Sequence, residues 1–344
     1  MVSSPAPVPV PLRALPPRTP RFVQLHHEDQ AAVRHELLRG LMAPAAFTAP
    51  KYLYDALGSR LFDAITELPE YYPTRTEAGI FAAHAAEMAR CVPAGTTLVD
   101  LGAGNCQKAA RLFEVFKPQR YVAVDISVDY LRYALAALQR QHPAMDMVGV
   151  GMDFSQSLAL PPEVQGDGPG GGDIDPLLLF YPGSSIGNFT PDEALRFLRD
   201  VHGACARGGP GGGLLIGVDR VKAASILEPA YDDALGVTAA FNRNLLPRIN
   251  RLAGTDFELS DWRHVALFNA SDSRIEMHLE ALRAVTVRWP GGERTFESGE
   301  RIHTENSYKW LEPEFDALLR SAGFKNTQAW TDARGWFSVF WAQA

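Results

Sequence analysis

The sequence predicts an α/β fold: a doubly wound, Rossmann-like parallel sheet that carries a second, smaller α+β unit. Three observations predict it. Between residues 97 and 219, short apolar strands alternate with amphipathic helices in units of roughly 25–30 residues. One of these strands delivers the turn Gly102-Ala103-Gly104 straight into a helix. Over 220–310 the alternation breaks into long helical stretches followed by strands of alternating polarity.

Taken in order, an amphipathic helix is expected over Asp29–Leu41. Leu57, Leu61, Phe62, Ile65 and Leu68 keep helical spacing and mark a second helix. Pro69 and Pro73 should end it and bracket Tyr71 and Tyr72, with a new helix from Thr76–Glu77 to about Arg90. TTLVDLGAG, a short apolar run into a glycine turn, is followed by the strand RYVAVDIS, which ends in Asp125, a third short strand in VGVGMDF, a longer strand and loop in LLLFYPGSSIGNF, and a fifth strand in GGLLIGVD. QKAARLFEVF reads as the helix after the first. Thr190-Pro191-Asp192-Glu193 supplies an N-cap, a proline at the first helical position and a glutamate three residues on, which is a capping box. The tail, one helix and two strands, completes the first sheet with an antiparallel edge. The expected division is a disordered, proline-rich leader over 1–22, a cofactor domain over 76–219 and 310–344, and a substrate-binding domain over 23–75 and 220–309.

Composition narrows the function. The 344 residues are 46% apolar and 21% charged, enough for two domains with ordinary cores. A net charge of −7 argues against nucleic acid as the main partner, because phosphate binding needs a basic face. Cys91, Cys106 and Cys205 are odd in number and lack CxxC spacing, which suits a reducing compartment. No apolar run reaches the ~18 residues of a membrane span. The first 20 residues hold seven prolines and lack the basic-then-apolar order of a secretory signal. A cytoplasmic monomer with no membrane partner is expected. Nine histidines form no HxxxH or HxH pair, so no metal is expected. The glycine-rich stretches 166–173 and 208–213 read as flexible connections.

The glycine turn points to a cofactor. Gly102 and Gly104 permit a tight turn and close backbone approach to a ligand. A dinucleotide fingerprint needs a third glycine at 107, where Gln107 stands. Asp125, at the end of the next strand, can accept from both ribose hydroxyls. Asp153 and Phe154, after the third strand, suit an adenine. Together they fit S-adenosylmethionine (SAM) better than NAD. Gly183-Ser184-Ser185-Ile186-Gly187 matches the G-x-S-x-G elbow of α/β-hydrolases, with Asp219 and His303 as nominal partners. An elbow needs its helix directly after the serine, and here the cap is Thr190. The loop is better suited to lining a substrate site.

PKYLYDALGSRLFDAITELPEYYPTRTE, GAGNCQK, PGSSIGNF, AYDDALGVTAAFNRNLLPRIN, RIEMH and IHTENSYK together resemble the SAM-dependent histidine Nα-methyltransferases of ergothioneine biosynthesis, the EgtD family. The resemblance runs from about residue 45 to the C-terminus. It implies a class I SAM-dependent methyltransferase fold and trimethylation of the α-amine of L-histidine to hercynine, with S-adenosylhomocysteine as by-product. It also implies that SAM meets Gly102, Gly104, Lys108, Asp125, Asp153 and Phe154. Histidine would meet Tyr71, Gly183, Asn188, Tyr231, Met277, Glu305, Asn306 and Ser307. Tyr54 and Asn188 are the expected catalytic pair, Tyr54 by orienting a water that carries protons away. Cys106 stands where the family has a small polar residue. The competing readings are an N-methyltransferase for another small amine such as tryptophan, a macromolecule methyltransferase, and a binding module without turnover.

Overall fold

The structure is a computed structural model that describes residues 18–25, 29–155, 157–165 and 175–344. Residues 1–17 of the expected leader and the stretch 166–173 lie outside the described residues. The strands are, in chain order, β1 (Arg21–Gln24), β2 (Ala46–Phe47), β3 (Thr97–Leu101), β4 (Arg120–Asp125), β5 (Asp146–Gly151), β6 (Leu177–Tyr181) and β7 (Gly213–Asp219). They continue as β8 (Trp262–Asn269), β9 (Arg274–Ala281), β10 (Val285–Trp289), β11 (Gly292–Phe296), β12 (Arg301–Tyr308), β13 (Lys325–Thr331) and β14 (Phe337–Gln343).

Eight strands form one sheet in the order β1-β5-β4-β3-β6-β7-β14-β13. The pairs from β1 to β7 are parallel. β14 joins β7 antiparallel, so the tail forms the expected antiparallel edge. β6 and β7 are buried at every position, because apolar cores cover both faces of the sheet. From β3 the chain winds one way through β4 and β5, then returns to β6 and winds the other way. That reversal opens a crevice at the carboxyl ends of β3 and β6. Thr190 and Glu193 form the capping box on the helix Pro191–Arg207.

Four findings correct the sequence reading. Arg21–Gln24 pairs residue by residue with Val148–Gly151, so the leader does not run to 22 and residues 23–24 belong to the large sheet. Phe22 rests where Gly149 has no side chain; a Cβ there would lie 2.3 Å from its ring. The helix expected from Thr76 starts at Tyr72 and runs to Cys91, with Pro73 inside its first turn. A proline is tolerated there because the N–H it lacks would have no helical partner. The boundary drawn at 75/76 therefore falls within a helix whose Tyr72 serves one core and whose Ile80 and Met88 serve another. QKAARLFEVF is two short turns, Gln107–Ala110 and Phe113–Phe116. Finally, 208–213 ends as a packed turn: a side chain at Gly213 would begin 2.5 Å from the Ala342 carbonyl, and one at Gly212 2.8 Å from that of Leu177.

The smaller sheet runs β2-β12-β9-β8, beside the β10-β11 ribbon. It shares a core with the helices Gln30–Met42, Ala56–Thr66, Val237–Arg243 and Leu245–Ala253. Asp29 and Asp55 cap the first two by accepting backbone N–H groups. This unit abuts the carboxyl ends of the large sheet. Ser127 Oγ, just past β4, donates to the Tyr54 carbonyl at 2.9 Å.

Candidate active site

The cofactor loop follows β3. Gly102 has φ 72° and Gly104 φ 50°, a region that side chains oppose. The Gly104 N–H donates to Asp125 Oδ2 at 2.9 Å, and the Ser127 N–H to Oδ1 at 2.8 Å. These bonds fix the carboxylate at the end of β4, although burial pushes its pKa up. Phe154 lies over Gly102, 3.7 Å from where a Cβ would sit. Asp153 pairs with Lys51 at 3.6 Å across the crevice. The space beside Gly104 is open, with no atom within 4 Å of a Cβ built there. A glycine cradle, a fixed carboxylate and a flanking ring suit an adenosyl group.

Just past the end of β4 lies a cavity lined by Lys51, Tyr54, Asp55, Ile126, Ser127 and Tyr130, and Tyr54 also lines a second cavity. It gathers Tyr54, Tyr71, Gly183, Asn188, Tyr231, Met277, Glu305 and Ser307. Strand register explains the last three. Met277 of β9 lies opposite Glu305 of β12, and Ile275 opposite Ser307, so alternate residues face the cavity together. Phe62 and Phe241 supply apolar wall, and both rings contact that of Tyr54 edge-on.

The polar groups of the cavity bond one another. Asn188 Nδ2 donates to Glu305 Oε1 at 3.1 Å. Tyr231 OH and Ser307 Oγ stand 2.7 Å apart. Burial pushes the Glu305 carboxyl up to about 7, against the opposing pull of Lys309, Asn188 and a hydrogen bond from Tyr54. Burial, then Glu305, holds the Tyr54 phenol well above its ordinary pKa. The Tyr54 side chain therefore stands in the cavity as a neutral hydroxyl.

One expected residue stands elsewhere. Asn306 lies on the opposite face of the small sheet from Glu305 and Ser307, paired with Glu276, because side chains alternate along β12. It does not line the cavity. The same face holds Glu276, His278 and His303, whose possible ligand atoms lie within 4.8 Å of one another. Cross-strand register, not sequence spacing, brings the two histidines together. The Glu276 carboxylate is already engaged by Arg274, Asn269 and His278. His303 on that face also removes the third member of a hydrolase triad. Ser185 opens a short turn to Asn188, and the helix starts only at Pro191. Cys106 is buried, its thiol pushed up to about 12 by desolvation, which leaves it unreactive.

Sequence reasoning missed Glu77. This buried residue accepts from Lys108 Nζ at 3.0 Å and from the Gly183 N–H at 2.7 Å. Gly217 makes room for it: a Cβ there would lie 2.0 Å from its Oε1. The signal available was an acidic residue on a helix, which usually means a solvated face. Gly183→Ala is expected to disturb both the second cavity, which Gly183 lines, and the cofactor loop, because its Cβ would fall 2.7 Å from Lys108 Nζ at a φ of 77°. Calorimetry should find SAM and histidine each bound about tenfold more weakly, the equivalent of ~1.4 kcal/mol. Unchanged affinity for SAM would rule out the Lys108 contact.

Fold and site together define a methyltransferase in which a glycine-turn crevice at the end of the parallel sheet stands beside a pocket lined by tyrosines and one glutamate. The sequence profile described as "Histidine-specific methyltransferase, SAM-dependent" matches residues 33–344. A histidine N-alpha-methyltransferase of Mycolicibacterium smegmatis is 40% identical over 314 residues, covering 90% of this chain and 94% of the relative. Its counterpart from Mycobacterium tuberculosis is 39% identical over the same shares. Ergothioneine biosynthesis protein 1 of Neurospora crassa is 31% identical over 288 residues, 81% of this chain and 31% of that longer protein. The chain belongs to the histidine-specific, SAM-dependent methyltransferase family. Among the described residues, no helix is long and apolar enough to cross a membrane.

Proposed function

We propose that this chain transfers three methyl groups to the α-amine of L-histidine, giving hercynine for ergothioneine biosynthesis. The observation that carries the reading is the cavity itself, which brings Tyr71, Asn188, Tyr231, Met277, Glu305 and Ser307 together beside the cofactor crevice. The large sheet is the cofactor domain in this account, and the small sheet with its helices is the substrate domain.

Gly102, Gly104, Lys108, Asp125, Asp153 and Phe154 would hold SAM, which supplies an electrophilic methyl group when bound. The chain's own residues then orient and protect. Glu305 accepts an imidazole N–H, and Ser307 and Tyr71 serve the other ring nitrogen. A pocket that bonds both nitrogens rejects isosteres lacking them. Asn188 and Tyr231 hold the α-carboxylate. Met277 and the aromatic walls exclude water and align the amine, which must be neutral to attack. The first two transfers each leave a proton on nitrogen. Tyr54, at the junction of the two cavities, is the neutral hydroxyl that orients its departure.

Incubation of the protein with SAM and a mixture of amino acids, read by mass, tests the reading. Histidine should gain three CH₂ units while tryptophan is untouched; the reverse would move the chain to the indole-amine alternative. Tyr54→Phe should lower kcat about 10- to 100-fold, the lower range for assisted proton transfer, with SAM affinity unchanged. Full turnover in that variant would remove Tyr54 from the mechanism.

A further inference from the structure

We propose that Lys309 is a positioning residue: it fixes the hydroxyls of Tyr231 and Ser307 as hydrogen-bond donors toward the amino-acid substrate. The proposal rests on the histidine reading and extends it to a residue behind the cavity wall. Lys309 follows β12, and its side chain is 0% exposed. Its ammonium reaches Asp219 Oδ2 at 2.8 Å, Tyr231 OH at 2.9 Å and Ser307 Oγ at 2.8 Å. An ammonium has three N–H donors and no acceptor, so all three are committed.

The consequence is directional. Each hydroxyl accepts from Lys309 and keeps its own proton to give. One proton closes the 2.7 Å contact between Tyr231 and Ser307 in the structure described. With histidine in the pocket, both protons can turn to it. A histidine whose ring N–H is given to Glu305 offers two acceptors, the bare ring nitrogen and the α-carboxylate. Ser307 can then give its proton to the bare ring nitrogen and Tyr231 to one carboxylate oxygen, beside the donors assigned to Tyr71 and Asn188.

The anchor behind Lys309 is equally buried. Asp219 Oδ2 also accepts from Tyr72 OH at 2.6 Å, and Oδ1 accepts from Lys222 at 2.6 Å. Lys222 donates to Tyr72 OH as well, at 2.8 Å. Lys309 and Lys222 both pair with Asp219, and Lys309 also acts on the Glu305 carboxyl, so an ammonium lies behind the two hydroxyls, beneath the place assigned to the substrate carboxylate. The network holds Lys309 still and makes its field available to an anion on the other side of two hydroxyls.

The test compares L-histidine with L-histidinamide, which lacks the carboxylate charge, by calorimetry on the full chain with S-adenosylhomocysteine added. Lys309→Met keeps the stem and removes the charge. It should weaken histidine about 30-fold and histidinamide no more than about threefold, so the preference for histidine collapses about tenfold, within the range for hydrogen bonds to charged groups. Equal weakening of both ligands would mean a merely structural lysine and would overturn the proposal, as would no change. Should this variant fail to fold, Asp219→Asn with Lys309→Met removes both buried charges together, and the same ratio is read from it. A wild-type protein that binds no histidine would overturn the underlying substrate reading first, and it is recognised before any variant is made.

Discussion

Glu305→Ala is expected to lower kcat/KM for L-histidine by about 100-fold or more. Among the described residues, the Glu305 carboxylate is the one acidic group lining the pocket, and a hydrogen bond to a charged group is worth ~1.5–3 kcal/mol. Its loss also strands the Asn188 amide that donates to it. The kinetic signature should be a raised KM with SAM binding intact. Glu305→Gln is the sharper variant, because it keeps the shape. In the wild type, burial pushes this carboxyl up to about 7, so the acceptor is lost as the pH falls through neutrality. Histidine affinity should fall over that range and lose this limb in Glu305→Gln, leaving only the ionisations of the substrate.

The same pKa sets a stability effect of the opposite sense. A carboxyl whose folded pKa lies above its unfolded value favours folding while protonated. That contribution is complete below the unfolded value near 4.5 and is lost as the pH rises through about 7. Glu305→Gln should therefore raise Tm at pH 8 and change it little at pH 4. Thermal melts at the two values check this. A lower Tm at pH 8 would mean that the ionised carboxylate is better solvated than its burial implies.

The second large effect is expected at Asp125. Asp125→Ala should weaken SAM about 100-fold, since on the proposed reading it removes the acceptor for both ribose hydroxyls. It also removes the acceptor that holds the Gly104 and Ser127 N–H groups, so the loop itself loosens. Titration with S-adenosylhomocysteine measures the change without turnover. Affinity within a few fold of wild type would place the ribose elsewhere in the crevice.

These residues were legible in the sequence for different reasons. Asp125 follows from local grammar: a strand, a glycine turn, a helix and an acidic residue at the next strand end. The parallel sheet was legible because its strands are continuous apolar runs punctuated by capped helices. Glu305 and Met277 were reached only through resemblance, since nothing local distinguishes a pocket glutamate from a surface one. Asn306 shows the limit of carrying over a whole motif. TENS contributes its second and fourth residues to the pocket, and period-2 alternation sends the third to the other face.

What stayed hidden depends on long-range pairing. The edge strand Arg21–Gln24 follows a proline-rich stretch and has only four residues, too short for a periodic signal, and the ring of Phe22 occupies space that a side chain at Gly149 would fill. Glu77 and Lys309 look like ordinary charges on a helix and after a strand. They are buried because partners more than 25 residues away in sequence, Lys108 for one and Tyr231 for the other, supply the bonds that offset desolvation. Pro73 misled for a related reason: a proline that stops one helix can equally start the next.

The most direct test of the central claim is to locate the methyl groups on the product formed from L-histidine and SAM. Tandem mass spectrometry should show a product three CH₂ units heavier that fragments by losing trimethylamine, which places all three on the α-nitrogen. A product carrying any methyl on the imidazole, or histidine recovered unchanged while another amine reacts, would contradict the assignment of Glu305, Ser307 and Tyr231 to the ring and carboxylate.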